Sequence, residues 1–401
     1  MKYVIILADG MADEPIKQLG GKTPLDYANT PWMDELAKHG QIGTANTVPA
    51  SMKPGSDVAN LAVMGYDPMK CYSGRSPLEA LSVGVNMKDT DVVYRCNLVT
   101  VTEEEEYEEK TILDHSSGEI STEEADVLMD TIRNSFNCAF LKFYTGTSYR
   151  HITVWDKGKI LDLEPPHDHL GAKIGRFLPG NEMLRMMMEK SFDLLNDHPI
   201  NRARAAQGKN KANSLWFWGA GRKPSLENFT DKTNLQGAMV SAVDLLKGIA
   251  VGAGLEVIHV PGANGTLDTN YSGKAEAAVQ ALKDGKDFVF IHVEAPDEMG
   301  HQGKVMDKVK SIELIDSLVV SYVKQQLDMS GEDYRILVMP DHPTPIRCRT
   351  HTCDPVPFVL YDSTKNITND VRFTEKDAEA ADNFEPSGYL LLKRLIGQEE
   401  N

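Results

Sequence analysis

Cysteine is scarce: there are five in 401 residues, scattered without regular spacing. Such a set builds no disulfide framework, and a reducing compartment is expected. Long apolar runs are missing as well. No stretch approaches the roughly 18 residues that a membrane-spanning helix needs. The apolar run at residues 3–8 is closed by Asp9 and is too brief for a signal-peptide core. Positive charge is in deficit, with 42 Lys and Arg against 59 Asp and Glu, a net of −17. That balance disfavours nucleic acid and anionic membranes as partners, while allowing a local basic pocket for a small anion. No internal repeat is present. A soluble, cytoplasmic protein with neither membrane nor nucleic-acid partners is expected. The hydrophobic fraction of 41% is ordinary for a globular chain of this length, which suggests two or three domains.

A nucleotide-binding P-loop is also lacking. Gly20-Gly21-Lys22-Thr23 has the right tail, but its first glycine would have to be Ile16 and no strand directly precedes it. The segment reads as a turn before a helix carrying Met33, Leu36 and Ala37. Elsewhere, apolar β-branched runs at 3–7, 255–260, 288–293, 335–339 and 357–361 read as strands. Residues 239–251, 274–282 and 305–326 read as helices, the last with Ile312, Ile315, Val319, Tyr322 and Val323 on one face. This alternation predicts an α/β fold, a mostly parallel sheet sandwiched by helices.

The texture changes from about Asp89. A strand at 92–101 precedes an acidic run at 103–109, read as a solvated hairpin. A helix at 122–136 follows, opened by Ser121 ahead of Glu123 and Glu124. A proline-flanked loop holds His167 and His169, and an amphipathic helix spans 183–195, its Met186, Met187 and Met188 serving packing. A smaller α/β domain at 87–231 is therefore expected inside a core domain of 1–86 and 232–401. Residues 397–401 read as a frayed tail.

The chain is organised around Lys53-Pro54-Gly55-Ser56-Asp57-Val58-Ala59-Asn60-Leu61. Pro-Gly forces a turn and an apolar helical pattern follows, so Ser56 falls in the N-cap region of a helix. Its hydroxyl would face free backbone N–H groups, a good place for a nucleophile that carries a phosphoryl group. A serine there is also an ordinary cap.

What gives Ser56 weight is a set of ligand-type residues at strand ends. Asp9 follows the first strand. Asp297 and His301 follow the strand at 288–293 and share a helix face by their i, i+4 spacing. Asp341 and His342 follow the strand at 335–339, with His351 a short loop away. A parallel sheet gathers such ends at one rim. Three carboxylates and three imidazoles suffice for two divalent ions, with Ser56 as a bridging oxygen. Cys348, His351 and Cys353 form a rival zinc set without an evident fourth ligand.

Ala8-Asp9-Gly10, Gly55 through Leu61, Gly65-Tyr66-Asp67-Pro68, Glu294 through His301, and Asp341-His342 resemble the archaeal type of cofactor-independent phosphoglycerate mutase. That family belongs to the alkaline phosphatase superfamily, and the resemblance covers the whole chain. It implies a nucleophile at Ser56, one metal held by Asp297, His301 and His351, and another held by Asp9, Ser56, Asp341 and His342. It implies manganese, with magnesium or zinc able to serve, and no 2,3-bisphosphoglycerate. Tyr149-Arg150-His151 resembles the family's segment with a histidine facing the phosphoserine, and the inserted domain would bind the rest of the substrate. Arg202 and Arg204, ahead of Gly208-Lys209-Asn210, fit a clamp for carboxylate or phosphate, or surface charges on a linker.

The expected chemistry is interconversion of 3-phosphoglycerate and 2-phosphoglycerate, a step of glycolysis and gluconeogenesis. Metals would acidify the Ser56 hydroxyl, and a phosphoserine would form. Glycerate would turn inside a closed site and take the phosphoryl group back on its other hydroxyl, while closure keeps water out. Two other readings compete. A related phosphotransferase, such as a homoserine kinase, would need a nucleotide site, and no glycine-rich loop provides one. An inert metal-binding or interaction protein would have no need of the complete ligand set.

Overall fold

The computed structural model describes residues 1–103 and 106–398. It divides into two compact units, Met1–Tyr72 with Ser225–Asn401, and Ser73–Pro224. The inserted unit begins earlier than the expected residue 87, because the helix Arg75–Ser82 packs on the strands Val92–Val101 and Ser214–Arg222. It also ends before residue 231. The helix Phe229–Thr233 is tied to the first unit, where Tyr66 donates to the Glu227 carbonyl at 2.8 Å and Lys232 bonds the Gly65 carbonyl.

The first unit is built on an eight-stranded sheet. Its order is Phe384–Glu385, Gly40–Ala45, Val356–Asp362, Tyr334–Met339, Lys2–Ala8, Phe288–Val293, Gly237–Val240 and Glu256–Ile258. All neighbours pair in parallel except Val356–Asp362, which runs against both strands beside it. In the central strand, residues Val4 to Ala8 are fully buried. Both faces are covered, so an unbroken apolar run replaces the alternation of a half-exposed strand. Val4, Ile6 and Ala8 share a core with Met33, Leu36, Ile312 and Val319.

Two expectations shift. Met239 and Val240 end the strand Gly237–Val240, and the helix starts only at Asp244 and ends at Gly252. A short apolar run does not distinguish a buried strand from a helix by period alone. The helix expected over 305–326 is interrupted: Val305–Leu314 and Ser321–Ser330 flank a π-helical stretch, Ile315–Val320. Within that stretch Asp316 is buried and accepts from the backbone N–H of Met33 at 2.7 Å and of Trp32 at 3.3 Å. It thereby caps the helix Pro31–Lys38, whose preceding Thr30 makes no side-chain cap bond.

The second unit has a five-stranded, wholly antiparallel sheet centred on Val92–Val101. The helices Thr122–Phe136 and Glu182–Leu195 bury Leu128, Ile132, Leu184, Met187 and Met188 in one core with Cys96, Leu98 and Phe217. Met186 of the methionine cluster is half exposed instead. Of the acidic run, Glu104 and Glu105 lie outside the described residues, and Tyr107–Glu109 forms one 3-10 turn. Of the expected tail, residues 399–401 lie outside them as well.

Candidate active site and metal centre

The rim of the first unit's sheet is set by three adjacent strands. Lys2–Ala8 lies between Phe288–Val293 and Tyr334–Met339, with Leu7 in register with His292 on one side and Met339 on the other. Asp9, the helix Ala295–His301 and Asp341 therefore leave the sheet side by side. Gly10 makes the first exit possible. Its φ is +60°, and a Cβ there would lie 2.7 Å from the Asp297 backbone.

Asp297 and His301 project from one face of the short helix. His301 Nε2 lies 3.2 Å from Asp297 Oδ2, and His351 Nε2 lies 3.5 Å from Asp297 Oδ1. The two imidazoles place their Nε2 atoms 2.9 Å apart. His301 Nδ1 is 2.9 Å from the Arg349 carbonyl, which only accepts, so that nitrogen carries the proton and Nε2 is left with a lone pair in the neutral ring. Beside this group, His342 Nε2 lies 3.0 Å from Ser56 Oγ, 3.3 Å from Asp341 Oδ2 and 3.6 Å from Asp9 Oδ1. The rings of His342 and His351 stack at 3.9 Å.

Ser56 is the first residue of the helix Ser56–Val63, with Gly55 as its cap. No side-chain cap bond is made, so the hydroxyl is free to face His342. Asn60, four residues on, donates to the Ser56 carbonyl at 2.9 Å and to Asp341 Oδ2 at 2.7 Å. Asp341 Oδ1 accepts from the N–H groups of Gly10 at 3.1 Å and His342 at 2.9 Å. Thr344 joins the two clusters, with its hydroxyl bonded to Asp297 Oδ1 and 3.3 Å from His342 Nδ1.

The electrostatics of this rim are crowded. Burial, reinforced by Asp341, Asp297 and Glu294, pushes the Asp9 carboxyl well above its ordinary range. Burial acts on Asp297 in the same direction, but bonds with His301 and His351 outweigh it and hold that carboxyl well below the usual range. The same bond to Asp297 raises His301 to about 9 against the effect of burial. Burial pulls His342 down, opposed by Asp341. Buried acids held this close call for positive charge beyond what the imidazoles supply.

Two groups of ligand atoms converge closely enough to hold a metal ion: Asp297, His301 and His351, and Asp9, Asp297 and His342. The donors fit. Asp9 Oδ1 is buried without a hydrogen-bond partner, and the ligand atoms are imidazole nitrogens and carboxylate oxygens, a set that suits a divalent ion such as manganese or zinc. Neither group among the described residues includes a cysteine. Cys348 Sγ instead faces the carbonyls of Pro345 and Thr350, and Cys353 is exposed.

A family model described as 2,3-bisphosphoglycerate-independent phosphoglycerate mutase matches residues 37–201. Over 383 residues the chain is 47% identical to the protein of that name from Methanosarcina acetivorans, covering 94% of this chain and 95% of the relative. This chain belongs to the 2,3-bisphosphoglycerate-independent phosphoglycerate mutase family. Among solved structures, the cofactor-independent phosphoglycerate mutase of Thermoplasma acidophilum aligns with a TM-score of 0.65 at 25% identity, covering 99% of both chains. A protein from Pyrococcus horikoshii aligns with a TM-score of 0.81 at 31% identity, over 100% of this chain and 98% of the other.

In the second unit of this mutase-family chain, the four residues expected at the substrate, Arg150, His151, Arg202 and Arg204, have different surroundings. Arg204 is turned inward. Its guanidinium pairs with Glu124 and donates to the carbonyls of Ser117 at 2.5 Å and Asn210 at 2.9 Å. Those bonds tie the helix Pro199–Ala206 to two loops, a structural role in place of the expected clamp. His151 is also a correction. It is wholly buried opposite Cys96, its Nε2 has no partner, and burial lowers its pKa to about 3. A side chain so enclosed presents no imidazole at the unit's surface. Arg202 is exposed on its helix, and Arg150 is exposed with its guanidinium 4.7 Å from the Tyr149 ring centre.

Sequence reasoning missed a second cluster here. Tyr149, His115, His167 and Trp218 meet in successive edge-on contacts of 5.7, 5.9 and 5.5 Å, and Arg95 lies 4.9 Å from the Trp218 ring. These residues are scattered over five segments, and no spacing marks them. Asn60 did carry a signal, since it stands four residues after Ser56 on one helix face. Among the described residues, no helix is long and apolar enough to cross a membrane.

Proposed function

We propose that this chain interconverts 3-phosphoglycerate and 2-phosphoglycerate by way of a phosphoserine at Ser56. The observation that carries the reading is the Ser56 hydroxyl, 3.0 Å from His342 Nε2 at the edge of the convergent acids and imidazoles. Family membership supplies the substrate pair and the independence from 2,3-bisphosphoglycerate. One ion would be held by Asp297, His301 and His351, and the other by Asp9, Ser56, Asp341 and His342. Manganese is the favoured metal. When bound, such ions supply Lewis acidity that activates a hydroxyl and screens phosphate charge.

The chain's own residues do the rest. Gly55 leaves the Ser56 hydroxyl uncommitted at the helix start, and Asn60 holds the Ser56 carbonyl and Asp341 together. Ser56 Oγ would bond to phosphorus as the phosphorus–oxygen bond to glycerate breaks, the departing oxygen taking up the proton Ser56 gives up. The other glycerate hydroxyl would then bond to phosphorus as the phosphorus–Ser56 bond breaks, its proton returning to Ser56. The inserted unit binds the glycerate portion. With Arg204 paired to Glu124 and Arg95 paired to Glu79, the exposed Arg150 beside Tyr149 offers the positive charge for it. A cytoplasmic setting fits the five free cysteines and a small metabolite as substrate.

The test is a coupled mutase assay on chelated protein reloaded with Mn²⁺, run beside an assay with homoserine and ATP. Conversion of 3-phosphoglycerate is expected, and the homoserine arm should be silent. Phosphohomoserine formation without mutase turnover would reassign the site to a kinase.

A further inference from the structure

His292 is an imidazole inside a hydrophobic strand. It lies on Phe288–Val293, fully buried, with Phe288, Val289, Phe290, Ile291 and Val293 as its strand neighbours. An unpaired ring nitrogen there would be costly, and both nitrogens have partners. Nε2 lies 2.8 Å from Asp9 Oδ2, and Nδ1 lies 3.2 Å from Ser241 Oγ. The direction of this chain of bonds follows from its two ends. The Val243 N–H can only donate, and it meets Ser241 Oγ at 3.1 Å. At the other end Asp9, ionised as a metal ligand, can only accept, so the imidazole proton sits on Nε2 and Nδ1 accepts from the Ser241 hydroxyl. Lys274, itself fully buried, donates to the His292 carbonyl at 3.0 Å and holds the strand end.

The consequence falls on Asp9. One of its oxygens, Oδ2, is taken by His292. The other, Oδ1, is buried without a partner and lies 3.6 Å from His342 Nε2. We propose that His292, aimed by Ser241, is a positioning residue that fixes the Asp9 carboxylate so that Oδ1 alone is offered to the metal site. No sequence pattern marks this role, because His292 sits inside an apolar strand run. The inference rests on the reading of Asp9 as a metal ligand. Outer partners of this kind typically change metal affinity by about 10–100-fold when removed.

The experiment titrates Mn²⁺ into metal-free, full-length protein by calorimetry, for the unaltered chain and for Asp9→Ala, His292→Ala, His292→Gln and Ser241→Ala. Two ions should bind the unaltered chain, and Asp9→Ala should lose one. His292→Ala should weaken that same ion by about 10–100-fold and leave the other within about twofold. His292→Gln, which keeps a side-chain N–H donor, should restore most of the loss, and Ser241→Ala should show a smaller, equally selective effect. If His292→Ala fails to fold, Ser241→Ala and His292→Gln carry the comparison. Equal weakening of both ions, or a lowered melting temperature with both affinities intact, would overturn the positioning role and leave the metal site standing. Retention of both ions by Asp9→Ala would overturn the ligand reading and this inference with it.

Discussion

His301 and His351 bring their Nε2 atoms to 2.9 Å of each other, and Asp297 lies within 3.5 Å of both. Two neutral imidazoles gain little from facing in this way, and a protonated His301 makes the arrangement favourable without an ion. Its bond to Asp297 raises His301 to about 9. This pKa lies above the value of about 6.5 expected in the unfolded chain. In metal-free protein the stabilisation it provides is present below pH 6.5 and is lost as pH rises toward 9. Thermal melts of chelated protein should therefore show a decline across that window, and saturating Mn²⁺ should remove the decline. Mn²⁺ affinity should rise over the same window, because the ion displaces a proton from His301. A flat affinity profile from pH 6 to 9 would contradict the assignment.

Ser56→Ala should leave stability unchanged, within about 0.5 kcal/mol, because Gly55 rather than Ser56 occupies the cap position and the Ser56 hydroxyl faces His342. Mutase turnover should fall by at least about 10³-fold, as the nucleophile is gone. Urea titration and a coupled assay on the same preparation check both halves. A folded Ser56→Ala protein with substantial turnover would rule out the phosphoserine route.

Gly10→Ala tests the rim from a different side. The residue has φ of +60°, and the added methyl would sit 2.6 Å from both Asp297 Oδ1 and Thr344 Oγ. Backbone strain alone costs about 1–3 kcal/mol. The displaced Asp297 should also weaken, in a binding titration, the Mn²⁺ ion assigned to Asp297, His301 and His351.

The two arginines that neighbour each other in sequence should behave oppositely. Arg204→Ala strands Glu124 and the two carbonyls, and should cost the inserted unit roughly 3 kcal/mol, at the lower end for a broken buried pair because Glu124 is partly exposed. Arg202→Ala should leave the melting curve where it is. Denaturant unfolding of the two variants distinguishes them directly.

Loss of Arg150 should act on the substrate and leave the fold alone. Arg150→Ala should raise the KM for 3-phosphoglycerate several-fold, and free phosphate should increase relative to 2-phosphoglycerate as less firmly held glycerate escapes. A constant product ratio at constant KM would place Arg150 outside the substrate contacts.

The rim was legible from sequence because Asp9, Asp341 and His342 come just after strands, Asp297 and His301 stand on the helix that follows one, and His351 lies a loop away. A parallel sheet turns that linear pattern into proximity. His151 and Arg204 misled for a common reason: polar residue types suggest surface roles, and only the packed unit shows that one faces the core and the other bonds carbonyls. Lys308 is the same case in the first unit. It is fully buried, 2.8 Å from Asp13 Oδ2 and 2.9 Å from the Thr344 carbonyl, and nothing in its helical spacing separates it from a solvated lysine. His292 was hidden by the opposite rule, a polar side chain counted among its apolar strand neighbours.

The first unit is made from two stretches of chain separated by the whole of the second. During synthesis, Ser73–Pro224 is continuous and can close its own antiparallel sheet while the first unit still lacks six of its eight strands. Ser56 then waits through nearly three hundred residues, and Asp9 through more than three hundred, for His342 and His351 to be made. The central strand Lys2–Ala8 has no neighbour in the sheet until Phe288–Val293 emerges. An apolar strand with two open edges is a template for wrong pairing. The order of the genetic message thus makes the central strand of this enzyme the segment most in need of protection while it is being born.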